Sequence, residues 1–203
     1  MTAINGATRL EVGVDGVAGH AGATPMRLRR DALTAAAEMA LMVEARARSE
    51  ADLVATVGRF DVWPDATNVI PGHVQFSIDI RSPDDTRRNA AHADLEARIE
   101  AIAAARGVRV SVARAHDANA FACDPGVIAG LKKAVEAVGV PARLLPSGAG
   151  HDTMAIGKLC PAGMLFIRCK GGVSHNPLES ITVEDCALGL AALTRLVRDF
   201  KVS

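Results

Sequence analysis

Aromatic residues are scarce in this sequence, which contains no tyrosine and one tryptophan in 203 residues. Proteins that bind single-stranded nucleic acid stack bases on aromatic side chains, so this scarcity argues against that function. An excess of one charge is also missing, because 23 lysines and arginines balance 23 aspartates and glutamates. Without a basic stripe or a charged block, we expect no nucleic-acid partner.

Long apolar runs are absent as well. No segment approaches the roughly 20 apolar residues of a membrane-spanning helix, so we expect no membrane partner. The first ten residues, MTAINGATRL, lack the basic start and apolar stretch of a signal peptide.

The four cysteines form no C-x-x-C pair, which is typical of reduced thiols in a cytoplasmic protein. They are Cys123, Cys160, Cys169 and Cys186.

Hydrophobic residues make up 49% of the chain, enough for a core in one large or two small domains. The first part alternates between strand and helix patterns. Strands are predicted at 8–17, 53–62, 74–81 and 108–112, and helices from Thr24-Pro25 to about Arg48 and from Ser82-Pro83 to about Arg106. The helices should bury Leu33, Ala37, Ala40 and Leu41, and Leu95, Ile99 and Ile102, respectively. This β-α-β-β-α-β order is ferredoxin-like, with both helices on one sheet face and a free face or edge for a partner.

From about residue 118 the pattern changes to α/β. Helices are predicted from Asp124-Pro125, from the SGAGHD segment to Leu159, and from Thr182 onward, with strands at 142–146 and 163–168. The last helix should bury Val183, Cys186, Ala187, Leu190, Leu193 and Val197. Two strands make a poor sheet alone, so this part is expected to be the end of a larger α/β domain.

Two polar motifs lie in the first part. His20 stands between glycines in GHAGATPM, where the backbone can approach a ligand closely. Asn68 precedes a strand and Arg81 ends it, and an arginine fork suits a carboxylate. The alternatives are a solvated histidine and a surface ion pair of Arg81 with Asp79 or Asp84.

A third motif, SGAGHD, places His151 and Asp152 after two glycines at a predicted helix start. Backbone amides of such a loop could hold an oxyanion or a carboxylate. We reject a hydrolase triad with Ser147, because the spacing matches no nucleophile elbow and adjacent His and Asp rarely orient each other. The alternative is a helix cap with a solvated histidine.

The fourth motif, GGVSHNPLE, places His175 in a Gly/Pro-rich loop. Neutral histidine is a common zinc ligand, but a catalytic zinc needs about three protein ligands. One histidine alone therefore leaves an ordinary strand-to-helix turn as the alternative.

Five motifs occur in order along the chain: GHAGATPM, TVGRFDVWPDATNVIPG, FSIDIRSPD, PSGAGHD and GGVSHNPLE. Together they resemble the M20-type metallo-amidohydrolases, in the branch that holds N-carbamoyl-L-amino-acid hydrolases, β-ureidopropionases and allantoate amidohydrolases. The resemblance implies that residues 1–117 form a lid or dimerisation domain. Residues 118–203 would be the C-terminal part of a Zn-peptidase-like α/β catalytic domain.

The resemblance also implies hydrolysis of a carbamoyl or ureido C–N bond by water held between two divalent ions. Zinc and manganese are the first candidates for the metal. His175 would be the last metal ligand, and Gly150 and His151 would line the pocket. His20, Asn68 and Arg81 would bind substrate in the partner subunit's active site, across a homodimer formed by the lid, with Arg81 on the substrate carboxylate.

The family's other metal ligands and its general base have no counterpart in this sequence. We therefore expect a fragment that is catalytically silent alone, with apolar surface exposed near Leu144, Leu165 and Ile167. One alternative function is a non-catalytic dimerisation or small-carboxylate-binding module. Another is a different M20-type peptidase or deacylase.

Overall fold

The computed structural model describes residues 1–200, which contain eight strands and five α-helices. They are β1 (Ala3–Ile4), β2 (Gly6–Asp15), β3 (Gly19–His20), α1 (Ala32–Arg48), β4 (Val54–Trp63), β5 (Val69–Ile70), β6 (His73–Ser82), α2 (Asp85–Arg106), β7 (Arg109–Ala118), β8 (Phe121–Ala122), α3 (Pro125–Ala137), α4 (Thr153–Ile156) and α5 (Val183–Asp199). No helix among these residues is both long and apolar enough to cross a bilayer.

The chain divides into two compact units. The lid unit is Asn5–Ala120, and the second unit joins Met1–Ile4 to the chain from Phe121 onward. The sequence-based boundary at 117/118 placed residues 1–4 in the first domain. The structure differs because β1 pairs with β8, which ties the first residues to the second unit.

The lid unit is an antiparallel sheet in the order β4-β6-β2-β7 with α1 and α2 packed on one face. This is the predicted β-α-β-β-α-β fold. Strand β6 shows its physical basis, because alternate apolar residues face the helices while the intervening polar residues face outward. Those apolar residues, Val74, Phe76, Ile78 and Ile80, are fully buried.

The start and the buried face of α1 differ from the prediction. Thr24-Pro25 leads only into a 3₁₀ turn at Met26–Leu28, and Asp31 caps the helix by accepting hydrogen bonds from two backbone N–H groups. The buried residues of α1 are Ala32, Ala35, Ala36, Met39 and Val43. Leu41, expected inside, is 68% exposed.

The limits of α2 follow the sequence pattern. Asp84 accepts from the N–H groups of Thr86 and Arg87 at its start, and Gly107 ends it in the left-handed conformation with φ 65°. Leu95 and Ile99 are fully buried, as predicted. The helix also buries the guanidinium group of Arg88, which the sequence pattern did not single out.

In the second unit, α3 begins after the predicted cap, Asp124. The predicted strands at 142–146 and 163–168 are wrong, and the helix predicted to reach Leu159 is only α4. A strand requires partners for its backbone groups along its length, but among residues 1–200 these segments have no strand ladder, only isolated contacts such as the Ile4–Ser147 bridge and the hydrogen bond from Thr2 N–H to the Leu145 carbonyl oxygen. The expected exposure holds for Leu144 and Ile167, at 51% and 39%.

The predicted buried face of α5 is also wrong. Val183, Leu190 and Val197 are 82%, 66% and 73% exposed. The helix instead buries Gly189 and Ala192, because Ile167 lies so close that a Cβ on Gly189 would sit 2.8 Å from its Cδ1.

An apolar cavity of about 540 Å³ lies between α3, α5 and residues 140–145 and 164–168.

Candidate functional site

Strands β3 and β5 bring His20 and Asn68 together. The two strands pair antiparallel with His20 opposite Val69, and the Ala21 N–H donates to the Asn68 carbonyl oxygen at 2.9 Å. Both site side chains are exposed. The structure therefore joins two motifs that lie 48 residues apart in the sequence into one polar corner of the lid.

The His20 loop is held by its own backbone and by an arginine. The Gly22 N–H donates to His20 Nδ1 at 3.1 Å, which leaves Nε2 to carry the proton of the neutral ring. Arg29 donates to the carbonyl oxygens of Ala21 and Thr24. Sequence reasoning missed Arg29, because nothing in the run MRLRRD distinguishes it from neighbouring arginines.

Arg81 forms an ion pair with Asp79, the alternative considered from the sequence. Its Nε lies 2.7 Å from one Asp79 oxygen, and a second nitrogen lies 2.9 Å from the other. Burial alone would raise the pKa of Asp79, but hydrogen bonds from Arg81 and Arg9 outweigh it and lower that pKa. The bond to Asp79 raises the pKa of Arg81, so this group stays cationic.

Arg81 and the His20–Asn68 corner lie at opposite ends of the sheet. The pairing of β2 with β6 runs from Gly6–Ser82 to Asp15–His73, and the separate β3–β5 pair is connected to the Asp15–His73 end through short segments of chain. Arg81 is eight residues along β6 from His73, or roughly 26 Å at about 3.3 Å per residue. One small substrate therefore cannot contact all three predicted side chains within one protomer.

In the second unit, Ser147 and His151 are hydrogen-bonded, with Oγ 2.7 Å from Nε2. Ser147 is 5% exposed, and Asp152 makes no hydrogen bond to His151 among residues 1–200. A buried hydroxyl without an oriented triad agrees with our rejection of a nucleophilic serine. The adjacent α4 has only four residues, so it provides no extended helix to hold an anion.

His175 is exposed and has a φ of 56°, which is unusual for a residue with a Cβ. Its N–H donates to Glu179 Oε2 at 2.8 Å, so Glu179 supports this loop rather than the start of α5. No hydrogen bond or ring contact joins His175 to His151 within the described chain.

The described residues do not form a metal centre. From residue 1 to 200 there is no group of three or more His, Cys, Asp or Glu side chains placed to hold a metal ion. A catalytic zinc requires about three such ligands, so His175 can supply at most one of them. We therefore assign no reaction step to a metal held by this chain alone. The cavity of about 540 Å³ is lined by none of Gly150, His151 and His175.

A family model described as a peptidase dimerisation domain matches residues 2–107. An allantoate deiminase of Arabidopsis thaliana is 40% identical over 218 aligned residues, covering 94% of this chain and 42% of the relative. An N-carbamoyl-L-amino acid amidohydrolase of Geobacillus stearothermophilus is 39% identical over 197 residues, covering 97% of this chain and 48% of the relative. The chain thus spans less than half the length of these relatives.

The solved structures agree with these matches. An amidase of the hydantoinase/carbamoylase family from Burkholderia multivorans is similar with a TM-score of 0.93 and 35% identity, over 96% of this chain and 48% of that chain. A match over the dimerisation domain, together with this similarity through both units, identifies the family. The chain belongs to the M20 family, alongside the amidases of its hydantoinase/carbamoylase branch.

Proposed function

We propose that this chain provides the dimerisation domain and part of the catalytic domain of a metal-dependent amidohydrolase. The reaction is hydrolysis of a carbamoyl or ureido C–N bond in an N-carbamoyl-L-amino acid or in allantoate. The observation that carries this proposal is the 39–40% identity, over 94% or more of the chain, to relatives named for those two activities. Enzymes of the family are generally metal-dependent, which supports a divalent ion, with zinc and manganese as first candidates.

The proposed enzyme is a homodimer formed through the lid. The sheet has two edges, β4 and β7, and α1 packs beside β4. Leu41 on α1 is 68% exposed, and Val54 on β4 is 55% exposed. Unpaired strand groups beside exposed apolar side chains suit a second copy of the same edge. We therefore place the dimer contact at β4 and α1.

An antiparallel dimer would also resolve the separation of the predicted substrate groups. Pairing β4 with its symmetry mate places the His20–Asn68 end of one lid at the Arg81 end of the other. In this proposal His20 and Asn68 of one protomer serve one substrate, while Arg81 of its partner binds the carboxylate. A carboxylate can share the guanidinium fork of Arg81 with Asp79 or replace that residue.

A chimera tests the activity. The region of the Geobacillus stearothermophilus amidohydrolase that matches this chain is replaced by residues 1–200 of this chain, and hydrolysis is measured with divalent metal. We expect turnover of N-carbamoyl-L-amino acids or allantoate, lowered by Arg81→Ala and unaffected by the exposed control Arg98→Ala. A dimeric, metal-loaded chimera that cleaves dipeptides but neither substrate would favour the M20-type peptidase alternative.

A second candidate, a non-catalytic carboxylate-binding module, applies to the chain by itself. It is favoured by the lack of a three-ligand metal group among residues 1–200. Titration of the isolated chain with N-carbamoyl-L-alanine, followed through the backbone amides of residues 19–24, 68–70 and 79–82, tests it. Shifts without hydrolysis would support this role, and an unchanged spectrum would contradict it.

A further inference from the structure

The apolar cavity of the second unit lies between two irregular segments of chain. Residues 140–145 line one side of it and residues 164–168 line another, while side chains of α3 and α5 line the rest. Leu131 of α3 is 6% exposed, whereas Leu144 and Ile167 of the two segments are 51% and 39% exposed. The helices therefore form a finished surface, and the two segments leave apolar side chains uncovered beside it.

The backbone groups of both segments lack partners. Residues 142–144 and 165–168 make no backbone–backbone hydrogen bond within residues 1–200. An apolar molecule that filled the cavity would cover these groups without pairing them, which is costly. A polypeptide strand instead offers donors and acceptors along both of its edges, so it can pair with the segments while its side chains fill the cavity.

The separation of the two segments matches the width of one strand. The Met1 amine donates to the Met164 carbonyl oxygen at 3.1 Å, and the Thr2 N–H donates to the Leu145 carbonyl oxygen at 2.9 Å. Two consecutive residues thus reach both segments. Because neighbouring strands of a sheet lie about 4.8 Å apart, a single strand fits between the segments in line with Met1 and Thr2.

A second copy of this chain does not supply such a strand from residues 1–200. Its four long strands belong to the sheet of the lid, and its short strands pair with one another. None of them can enter a gap one strand wide without losing its own partners. The relatives do contain further chain, because the two matches cover 94% and 97% of this chain but only 42% and 48% of the relatives.

We propose that residues 142–146 and 163–168 flank a strand-addition site, which accepts one extended apolar strand from the portion of an M20 catalytic domain that this chain does not match. The source of the strand rests on the proposed function, whereas the site itself does not. Ile4 pairs with Ser147 in the parallel direction, so the added strand runs parallel to residues 142–146. Its inward side chains contact α3 and α5, and the two flanking segments become strands of one sheet.

Hydrogen exchange tests the site in the chimera, where the relative supplies the rest of the catalytic domain. We expect the amides of residues 142–145 and 165–168 to exchange at least roughly a hundredfold more slowly in the chimera than in the isolated full chain. The amides of residues 95–103 in α2 are the internal control and should exchange equally in both. Rapid exchange of the two segments in a chimera whose α2 amides stay protected would overturn the proposal.

Assembly from two separate chains tests the site without the chimera. The full chain is co-expressed with the part of the Geobacillus stearothermophilus amidohydrolase that it does not match, and the two pieces of that amidohydrolase are the positive control. We expect the two chains to co-purify. Leu144→Glu should weaken their binding at least roughly tenfold, because the added charge must be desolvated. Leu159→Glu is the matched control, since Leu159 is 87% exposed and lies outside the cavity.

Each other outcome has a defined meaning. Absence of co-purification, when the amidohydrolase's own two pieces assemble, would overturn the proposal, and so would equal binding by Leu144→Glu and Leu159→Glu. A dimer of the isolated chain that Leu144→Glu dissociates would assign the cavity to a second copy and contradict it as well. An inactive chimera with slow exchange in both segments would contradict the proposed reaction and leave the strand site standing. An active chimera with rapid exchange there would do the reverse.

Discussion

The guanidinium group of Arg29 donates a hydrogen bond to the carbonyl oxygen of Ala21, the residue whose N–H binds Asn68. One arginine thereby supports the connection between two motifs that lie far apart in the sequence. A second donation, to the carbonyl oxygen of Thr24, closes the loop around His20.

Replacing Arg29 by alanine should loosen this loop without unfolding the lid. Hydrogen bonds from a charged donor contribute about 1.5–3 kcal/mol, so we expect amide exchange at residues 20–24 to rise at least roughly tenfold. Exchange measured by NMR would show this change. Arg27→Ala is the matched control, because the Arg27 side chain makes no hydrogen bond or ion pair among residues 1–200. Equal exchange in the two variants would contradict the role of Arg29.

Replacing Arg88 by methionine should destabilise the lid by about 1.5–3 kcal/mol, because it removes the charged hydrogen bonds of Arg88 while its carboxylate partners stay partly hydrated. The Arg88 side chain is 1% exposed and pairs with Asp85 and Asp117. Urea unfolding gives the free energy. The control Arg98→Ala removes an exposed i,i+4 pair with Asp94 and should cost less than about 0.5 kcal/mol. A similar loss in both variants would show that burial of Arg88 is unimportant.

The stability of the lid should fall at acid pH partly through Asp117. The hydrogen bond from Arg88 is the largest cause of the lowered pKa of Asp117. A carboxyl group with a lowered folded-state pKa stabilises the fold above its unfolded pKa of about 3.9 and loses that contribution as pH falls through its folded-state pKa. Urea unfolding between about pH 5 and pH 3 should show a shallower pH dependence in Asp117→Asn. An identical slope would contradict this contribution.

Replacing Leu41 by glutamate should dissociate the proposed homodimer. A charge in the centre of an apolar contact must be desolvated on association, which opposes pairing. Sedimentation equilibrium measures the change in mass. Ala97→Glu, an exposed alanine on α2, introduces the same charge on the other helix and should leave the dimer intact. Dissociation by Ala97→Glu alone would move the interface to the β7 side.

Metal should have little effect on the isolated chain. Because residues 1–200 contain no three-ligand group, we expect zinc or manganese to leave the melting temperature unchanged and to restore no hydrolysis. Calorimetric titration measures binding directly. Tight stoichiometric binding that disappears in His175→Ala would contradict this expectation.

Local patterns predicted the lid because its sheet has one buried face and one polar face. The local sequence specifies the alternation in β6, the cap at Asp84 and the helix end at Gly107. Packing of the lid stabilises the same structure. The start of α1 could not be predicted this way. Thr24-Pro25 and Asp31 are both good caps, and the hydrogen bonds of the His20 loop favour the later one.

The second unit was harder to predict for a physical reason. A strand at 142–146 or 163–168 requires a ladder of hydrogen-bonding neighbours that local patterns do not supply, and the described chain provides only isolated contacts, such as Thr2 N–H to the Leu145 carbonyl oxygen. Which face of α5 is buried likewise depends on the segment that packs against the helix. Gly189 is therefore buried, whereas Leu190 is exposed. Ser147 and His151 were considered only as parts of a rejected triad, and their hydrogen bond could not be predicted because an irregular loop has no periodicity to indicate it.

The sequence by itself determined the lid fold and predicted which side chains would bind substrate or metal, since alternation, caps and ordered motifs are local properties of the chain. Only the tertiary structure decided which of those side chains meet. It joined His20 to Asn68 and placed Arg81 at the other end of β6, because antiparallel register, rather than separation in sequence, sets distance across a sheet.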